Sequence, residues 1–558
     1  TLAMHGRVDD ETLDGLERLR SSGRKLILVT GRELDDLCSV FPHVHLFDRV
    51  VAENGALLYR PGTREEKLLG TPPPEAFIKE LRARNIMPLS VGRAIVATRT
   101  PHETDVIEVI RDLGLELQVI FNKGAVMILP AGVNKATGLM AALDELSLSP
   151  HNVVAVGDGE NDHALLRLCE YAVAVSDALP MLKEQADYVT KGECSAGVLE
   201  IIEELLADDL RQLEGRLTRH HILLGARESG EEIRISPYGL NLLLAGSSGS
   251  GKSTLATGIL ERLAEQAYQF CIIDPEGDYE AFEGAIILGN SQRVPSVAEI
   301  VQLLEEPQAN AVINLVGLPL QDRPSFFIGL LPRLQELRAR AGRPHWIVVD
   351  EVHHLLPATW EPAPLTLTRD LEGMILITVH PNQVSHAVLS EIDIAIAVGE
   401  TPGETLQTFG DMIGHPLSTV QPTALQPGEA LMWRRRAGLP PFCLRVAPSR
   451  MDRRRHRRKY AQGELSPDRS FYFKGPNGAL SLRAQNLMMF IQLADGVDDA
   501  TWIYHLRQGD YSRWFREAIK DDTLADQAQR IEAMKELSPA DSRTLIKAAI
   551  EQHYTLPG

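Results

Sequence analysis

Residues Gly246–Ser253 read GSSGSGKS and fit G-x-x-x-x-G-K-[ST] at every fixed position. The apolar run Leu240–Ala245 before them has the pattern of a buried strand, and Thr254–Ala267 after them reads as a helix. Glycines let such a loop wrap closely, so that backbone N–H groups and the helix N-terminus point at a phosphate chain. Gly246, Ser248, Gly249, Ser250, Gly251, Lys252, Ser253 and Thr254 are therefore read as binding ATP. Lys252 is to reach the β/γ-phosphates, and the Ser253 hydroxyl is to face Mg²⁺.

The 558 residues suggest about three to four domains. A hydrophobic share of 44% and a charged share of 24% suit a globular chain, and a net charge of −19 argues against a surface that coats nucleic acid throughout. A local basic channel stays compatible with it. Cys38, Cys169, Cys194, Cys271 and Cys443 are far apart and form no C-x-x-C, which suits reduced thiols and a cytoplasmic setting. No apolar run approaches the ~20 residues of a membrane span, so no membrane partner is expected.

In the N-terminal third, Lys25–Thr30 (KLILVT) and Val153–Val156 read as buried parallel strands, the second running into GDGEND (Gly157–Asp162). Strands alternating with helices, with polar residues at strand ends, predict a doubly wound α/β sheet. Asp158 and Asp162, four apart in a strand-to-helix turn, suit Mg²⁺. Thr30 and the backbone beside it at Gly31 suit a phosphoryl oxygen, and Lys135 would neutralise it. Taken singly, an Asp at a helix start is more often an N-cap; the ordered set shifts the balance.

That set resembles the haloacid-dehalogenase superfamily, in its Cof-like and sucrose-phosphatase-like branch. By this resemblance Thr30 matches the second motif, Lys135 the third, and Asp158, Asn161 and Asp162 the fourth. AENGA (Ala52–Ala56) places Asn54 near a small phosphorylated substrate. A Rossmann-like domain over 1–205 is implied, with an α+β cap over about 60–131. The family's nucleophile and acid/base aspartates lie in D-x-D-G-T, whereas this chain opens T-L-A. A chain lacking a short first strand and a degenerate phosphatase are the two readings; the first is preferred because Thr1-Leu2-Ala3 continues the motif in register.

Residues 206–239 read as a charged helical linker and a hairpin turning at Ser229-Gly230. Beyond the glycine loop come a strand ending in DPEGDY (Asp274–Tyr279), a helix over Pro324–Ala341, and HWIVVDE (His345–Glu351) about a hundred residues after Lys252. Asp350 is placed to hold Mg²⁺ and Glu351 to orient and deprotonate water. Strand Met374–Val379 ends at His380. A long sheet is expected, with the Glu351 strand in the middle of its order.

These tokens resemble the HerA/FtsK superfamily of ring-forming ATPases, HerA more closely, over about 218–445. The resemblance implies a RecA-like P-loop ATPase domain over 240–448, homo-oligomers arranged as a ring, and a nucleic-acid partner left open. It places His380 where the family has a γ-phosphate-sensing Gln, with Glu276 or Asp278 supporting the site and Arg369 reaching across a subunit boundary. A surface arginine is an equal reading of Arg369. A phosphatase paired with a nucleic-acid kinase is disfavoured by DPEGDY and Asp350-Glu351.

Arg453–Lys459 (RRRHRRK), within 449–467, reads as a basic linker more than a phosphate contact. Residues 468–558 read as a small helical domain, resembling modules attached to haloacid-dehalogenase-like phosphatases. Leu480–Leu493 is taken as helix, and Trp502, Trp514 and Phe515 as core. Together these readings describe a Mg²⁺-dependent phosphatase joined to an ATP-hydrolysing motor. The alternative is an ATP-driven DNA-translocating or defence-type assembly whose first domain only binds a phosphorylated ligand.

Overall fold

The computed structural model describes residue 2 and residues 8–247, 250–280, 282–360, 372–417, 425–450, 470–476, 478, 480–519, 521–534 and 536–554. It divides into two compact units, one of Thr1–Lys252, Arg262–Glu280 and Gly284–Ala447, the other of Ser253–Glu261, Ala281–Glu283 and Pro448–Gly558.

In the first unit, β1 (Ile27–Val29), β2 (Arg49–Ala52), β3 (Leu57–Arg60) and β4 (Glu65–Leu68) pair in that order, β1 and β2 in parallel. An antiparallel sheet follows, β5 (Ser90–Val91), β6 (Val96–Arg99), β7 (Leu117–Asn122) and β8 (Ala125–Pro130), in the order β5-β6-β8-β7. Helices Glu75–Ala83 and Glu103–Asp112 pack on it through Phe77, Leu81, Val106 and Val109. Next, β9 (Val154–Gly157), β10 (Tyr171–Ala174) and β11 (Tyr188–Val189) form a parallel sheet. Among the described residues, β1 and β9 each have one edge without a paired strand, and both line a cavity of about 1510 Å³.

The largest sheet holds β12 (Ile222–Ala226), β13 (Glu232–Ile235), β14 (Asn241–Gly246), β15 (Phe270–Asp274), β16 (Ile286–Leu288), β17 (Ala311–Asn314), β18 (Trp346–Val349), β19 (Met374–Thr378), β20 (Ile394–Val398), β21 (Glu429–Arg434) and β22 (Phe442–Val446). Its order is β13-β12-β22-β21-β20-β14-β19-β18-β15-β17-β16. The strands from β20 to β16 in that order run parallel; those from β21 to β13 are antiparallel additions. β14, β15, β18, β19 and β20 are buried along their whole length, which is why they read as unbroken apolar runs rather than alternating ones. The glycine-loop strand β14 takes the central place, and the Glu351 strand β18 lies two strands away.

The second unit is helical, with one strand pair, β23 (Phe471–Phe473) and β24 (Leu482–Ala484). Part of the segment expected as helix from Leu480 is thus strand. Asn486 resets the chain, its side chain accepting the Met489 N–H so that the helix begins at Leu487. Trp502, Trp514 and Phe515 lie in this unit's core. Also in this unit, Ser449 Oγ and the Arg450 N–H donate to Glu261, at 2.8 and 2.7 Å.

Candidate functional sites

The register of the large sheet brings the sequence-predicted residues to one edge. Ala245 of β14 pairs with Thr378 of β19, and Val349 of β18 pairs with Leu376. The Gly246 loop, Asp350-Glu351 and His380 therefore leave the same carboxyl edge, where ligands of open parallel sheets bind. Gly246 has φ 154°, and a Cβ there would lie 2.2 Å from the Val398 carbonyl. Only glycine fits. Gly251, at φ 99°, caps the helix Lys252–Glu265. Lys252 is buried and donates Nζ to the carbonyls of Gly246 and Ser247, each at 3.0 Å. Ser250 Oγ is buried with no hydrogen-bond partner among the described residues. Ser253 is half-buried and Thr254 exposed on the first helical turn; Ser248 and Gly249 lie outside the described residues.

Burial pushes Asp350 up to about 8, helped by the neighbouring Glu351 charge. Glu351 is also raised by burial, against the pull of Lys252, and burial lowers Lys252 against the pull of Glu351, Asp350 and Asp278. Glu351 stands at φ 41° and ψ 51°, a left-handed conformation that costs about 1–3 kcal/mol. Its Oε2 is buried without a hydrogen bond. His353, passed over in the sequence, is 3.4 Å from that Oε2 and 3.1 Å from Thr378 Oγ1. Thr378 Oγ1 also accepts the His380 N–H at 3.0 Å, and the two imidazoles are 5.5 Å apart. Burial, then the neighbouring His354 and His380, push His353 down to about 4.

The acidic turn has a different internal logic. Asp274 is fully buried and its carboxylate accepts the N–H groups of Glu276, Gly277, Asp278 and Tyr279. It shapes the turn. Glu276 meets Arg323 at 3.2 Å. Arg369 and Arg453–Lys459 lie outside the described residues.

The N-terminal residues gather at the cavity between β1 and β9, whose lining includes Thr30, Gly31, Lys135, Asp158, Asn161 and Asp162. Lys135 Nζ donates to Asp162 Oδ1 at 2.6 Å and to Asn161 Oδ1 at 3.2 Å. Asp162 Oδ2 accepts the N–H groups of Asp158 and Gly159, both at 3.0 Å. Asn161 Nδ2 donates to Asn54 Oδ1 at 2.8 Å, and the Asn54 N–H to the Thr30 carbonyl at 3.0 Å. The two aspartates of the GDGEND turn are thus engaged, Asp158 by Lys123 at 2.5 Å.

Lys123 and Glu53 are the residues the sequence did not reveal. Lys123 sits on the turn between β7 and β8, and Asp158 raises its pKa. Glu53 is fully buried and its carboxylate accepts the N–H groups of Arg93, Ala94 and Ile95, at 2.8, 2.7 and 3.0 Å. Lys123 ties the inserted sheet to Asp158, and Glu53, beside Asn54, ties it to the turn after β2. Their partners lie 35 to 42 positions away, beyond any local pattern.

Residues 1–82 and 93–202 match the haloacid dehalogenase-like hydrolase family, and residues 241–340 match the central domain of helicase HerA. Phosphoglycolate phosphatase 2 of Saccharolobus solfataricus is 36% identical over 119 residues, 21% of this chain and 49% of that protein, so the chain spans about half that relative's length. Phosphoglycolate phosphatase of Aeropyrum pernix is 30% identical over 211 residues, 36% of this chain and 86% of that protein. Among solved structures, a haloacid dehalogenase-like hydrolase from Bacteroides thetaiotaomicron matches 37% of this chain and 96% of its own, with 19% identity and a TM-score of 0.32. No helix among the described residues is long and apolar enough to cross a membrane. The chain belongs, through its N-terminal domain, to the haloacid dehalogenase-like hydrolases, and carries a HerA-family domain fused to it.

Proposed function

We propose that the chain couples a Mg²⁺-dependent phosphohydrolase domain, residues 1–205, to an ATP-hydrolysing, RecA-like motor domain, residues 240–448. The observation that carries the motor reading is the shared edge of β14, β19 and β18. It gathers a buried lysine on a glycine loop, a buried Asp350 beside a half-buried Glu351, and a glutamate oxygen that makes no hydrogen bond among the described residues. The residues fit the groups the reading needs. Lys252 already holds two loop carbonyls and would exchange them for β/γ-phosphate oxygens. Ser250 Oγ is a hydroxyl in want of a partner. Asp350 and Ser253 would hold Mg²⁺, which supplies charge neutralisation at the phosphates. Glu351 would accept the proton of the attacking water through Oε2, and His353 and His380 would report the γ-phosphate to that carboxylate.

In the first domain Thr30, Gly31, Asn54, Lys135 and Asn161 would hold a phosphoryl group, with Asp158 on the metal and Asp162 fixing Lys135. The phosphoglycolate phosphatases among its relatives make small phosphorylated acids the first substrates to try. A second reading, binding without turnover, draws support from Lys123 on Asp158 and Lys135 on Asp162. Homo-oligomers, a ring, a cytoplasmic setting and nucleic acid as the motor's track complete the proposal.

The test is ATP turnover by the full chain. Lys252→Ala and Glu351→Gln each lower it by about a hundredfold or more; wild-type rates in both variants refute the ATPase assignment. Phosphate release from phosphoglycolate and a panel of small phosphoesters with Mg²⁺, measured on a chain restored with its natural N-terminus and the D-x-D strand end, tests the first domain, and silence across the panel selects the binding reading. DNA-stimulated turnover that falls with salt supports translocation.

A further inference from the structure

Along the same cavity that Thr30, Lys135 and Asp158 line, the structure places a partly buried cluster where His151, Glu170 and His220 converge, with ligand-capable atoms within 4.8 Å of one another. His151 belongs to the turn Pro150–Asn152 ahead of β9, Glu170 directly precedes β10, and His220 ends the linker ahead of β12. Gln266 and Tyr268, between the helix Lys252–Glu265 and β15, complete the surround.

The hydrogen-bond geometry leaves ligand-capable atoms here for a cation to take. His151 Nε2 lies 2.6 Å from the Gln266 carbonyl, so that nitrogen must be the donor. A neutral ring then turns the Nδ1 lone pair on Glu170 Oε2, 2.6 Å away. That contact is satisfied by a proton, or, once Nδ1 and the carboxylate move apart, by a metal ion in the proton's place. Glu170 Oε2 also takes the Tyr268 hydroxyl at 2.7 Å, while Oε1 is buried with no hydrogen bond in a residue only 7% exposed. His220 Nε2, 4.0 Å from Oε2, is likewise buried and makes no hydrogen bond.

We propose that His151 Nδ1, Glu170 and His220 Nε2 bind a divalent zinc-type ion that ties the haloacid dehalogenase-like domain to the linker entering the HerA-family domain. Two imidazoles and a carboxylate are a ligand set zinc favours, at about 2.0–2.2 Å per bond. The Nε2–H of His151 on a backbone carbonyl is the outer-shell bond that zinc-bound histidines make. Tyr268 plays the same part for Glu170, and its ring stacks on His151 at 3.8 Å. Reaching tetrahedral spacing takes a shift of under about 1 Å in His220 and a rotation of Glu170 that presents Oε1. The cavity that includes His151, Glu170 and Tyr268 in its lining gives an ion a way in and a solvent ligand for the fourth place.

The experiment uses the full chain, stripped with a chelator and titrated with Zn²⁺ against a chromogenic competitor, and with Co²⁺ as a spectroscopic probe. About one zinc per chain is expected, with visible d–d bands of four-coordinate cobalt and a melting temperature raised by Zn²⁺. His220→Ala deletes a ligand that holds no hydrogen bond, so the fold survives, and affinity falls by roughly a hundredfold or more. His221→Ala serves as the neighbouring control and keeps wild-type affinity. The proposal is overturned if the wild-type chain binds no zinc, or if His220→Ala binds it as tightly as wild type.

Discussion

Replacing Glu53 by Gln tests how the inserted sheet is held to the turn after β2. Oε2 of Glu53 accepts from Ala94 and Ile95, and Oε1 accepts from Arg93. A glutamine with its oxygen in the place of Oε2 keeps two bonds, both now uncharged. Its NH₂ then faces the Arg93 N–H, donor against donor. Charge-assisted bonds contribute about 1.5–3 kcal/mol and neutral ones about 0.5–1.5. One bond lost and two weakened thus come to about 3.5–6 kcal/mol. Glutamine keeps the backbone preference at φ 51° nearly unchanged, so strain adds little. Hydrogen exchange of the Arg93–Ile95 amides reads the effect directly: they should exchange roughly several-hundred- to ten-thousand-fold faster. Amides of the large sheet, which share no partner with Glu53, should not change. Protection at 93–95 within twofold of wild type would refute the claim that this carboxylate anchors the inserted sheet.

Lys135→Met leaves Asp162 buried with two backbone donors and no countercharge, and should destabilise by about 3–5 kcal/mol in denaturant melts; adding Asp162→Asn should recover part of it. Lys123→Ala frees Asp158 from an ion pair whose lysine is more than half exposed, so the Mg²⁺ concentration for half-maximal effect should fall by up to about fivefold in titrations. Gly246→Ala drives a Cβ onto the Val398 carbonyl, and ATP binding measured by calorimetry should weaken at least about tenfold. Asp350 keeps its proton up to about pH 8 in the metal-free fold and only to about 4 in an unfolded chain. The folded state therefore binds more protons between those values, and metal-free stability should fall as pH rises through that window, by at most about 1.4 kcal/mol per unit. Over the same range Mg²⁺-ATP should bind with proton release, tightening as pH rises towards 8, which calorimetry in two buffers will show.

What the sequence disclosed was local. The run Asn241–Gly246, the loop and the helix behind it are contiguous, and a glycine demanded by a carbonyl 2.2 Å away leaves its mark at one position. Thr30, Lys135 and Asn161 were legible because each closes a strand or opens a helix. The order of the large sheet was not. Periodicity marks a strand as buried but not beside which other strand, so β18 was expected at the centre that β14 occupies. β24 was taken for helix because three residues show too little alternation to compete with the helix behind them. Of the DPEGDY turn only Glu276 or Asp278 was read as supporting the site; that Asp274 braces the turn through four backbone N–H groups had no mark in the sequence. Glu53 and Lys123 could be found only once the chain had returned on itself.

The two sites share a device that clarifies how each is poised. Side chains leaving a strand alternate between faces, so aiming one into the cleft beyond the strand end takes a break in backbone conformation. After β2 the break is Glu53, Asn54 and Gly55, at φ 51°, 54° and 105°; after β18 it is Glu351 alone, at φ 41°. Left-handed non-glycine residues cost about 1–2 kcal/mol each. After β2 that cost is offset by three bonds to Glu53, the Asn54 N–H on Thr30 and the Asn54 side chain on Asn161. The Glu53–Gly55 turn is therefore rigid before any ligand arrives. Glu351 has its own N–H on Asp350 Oδ1 at 3.0 Å and, among the described residues, a buried Oε2 without a hydrogen bond. Its strain is offset far less completely, and a water held against Oε2 would supply the missing bond. On this account the N-terminal site is built to be read by a ligand as it stands, and the Glu351 site to tighten when its ligand binds.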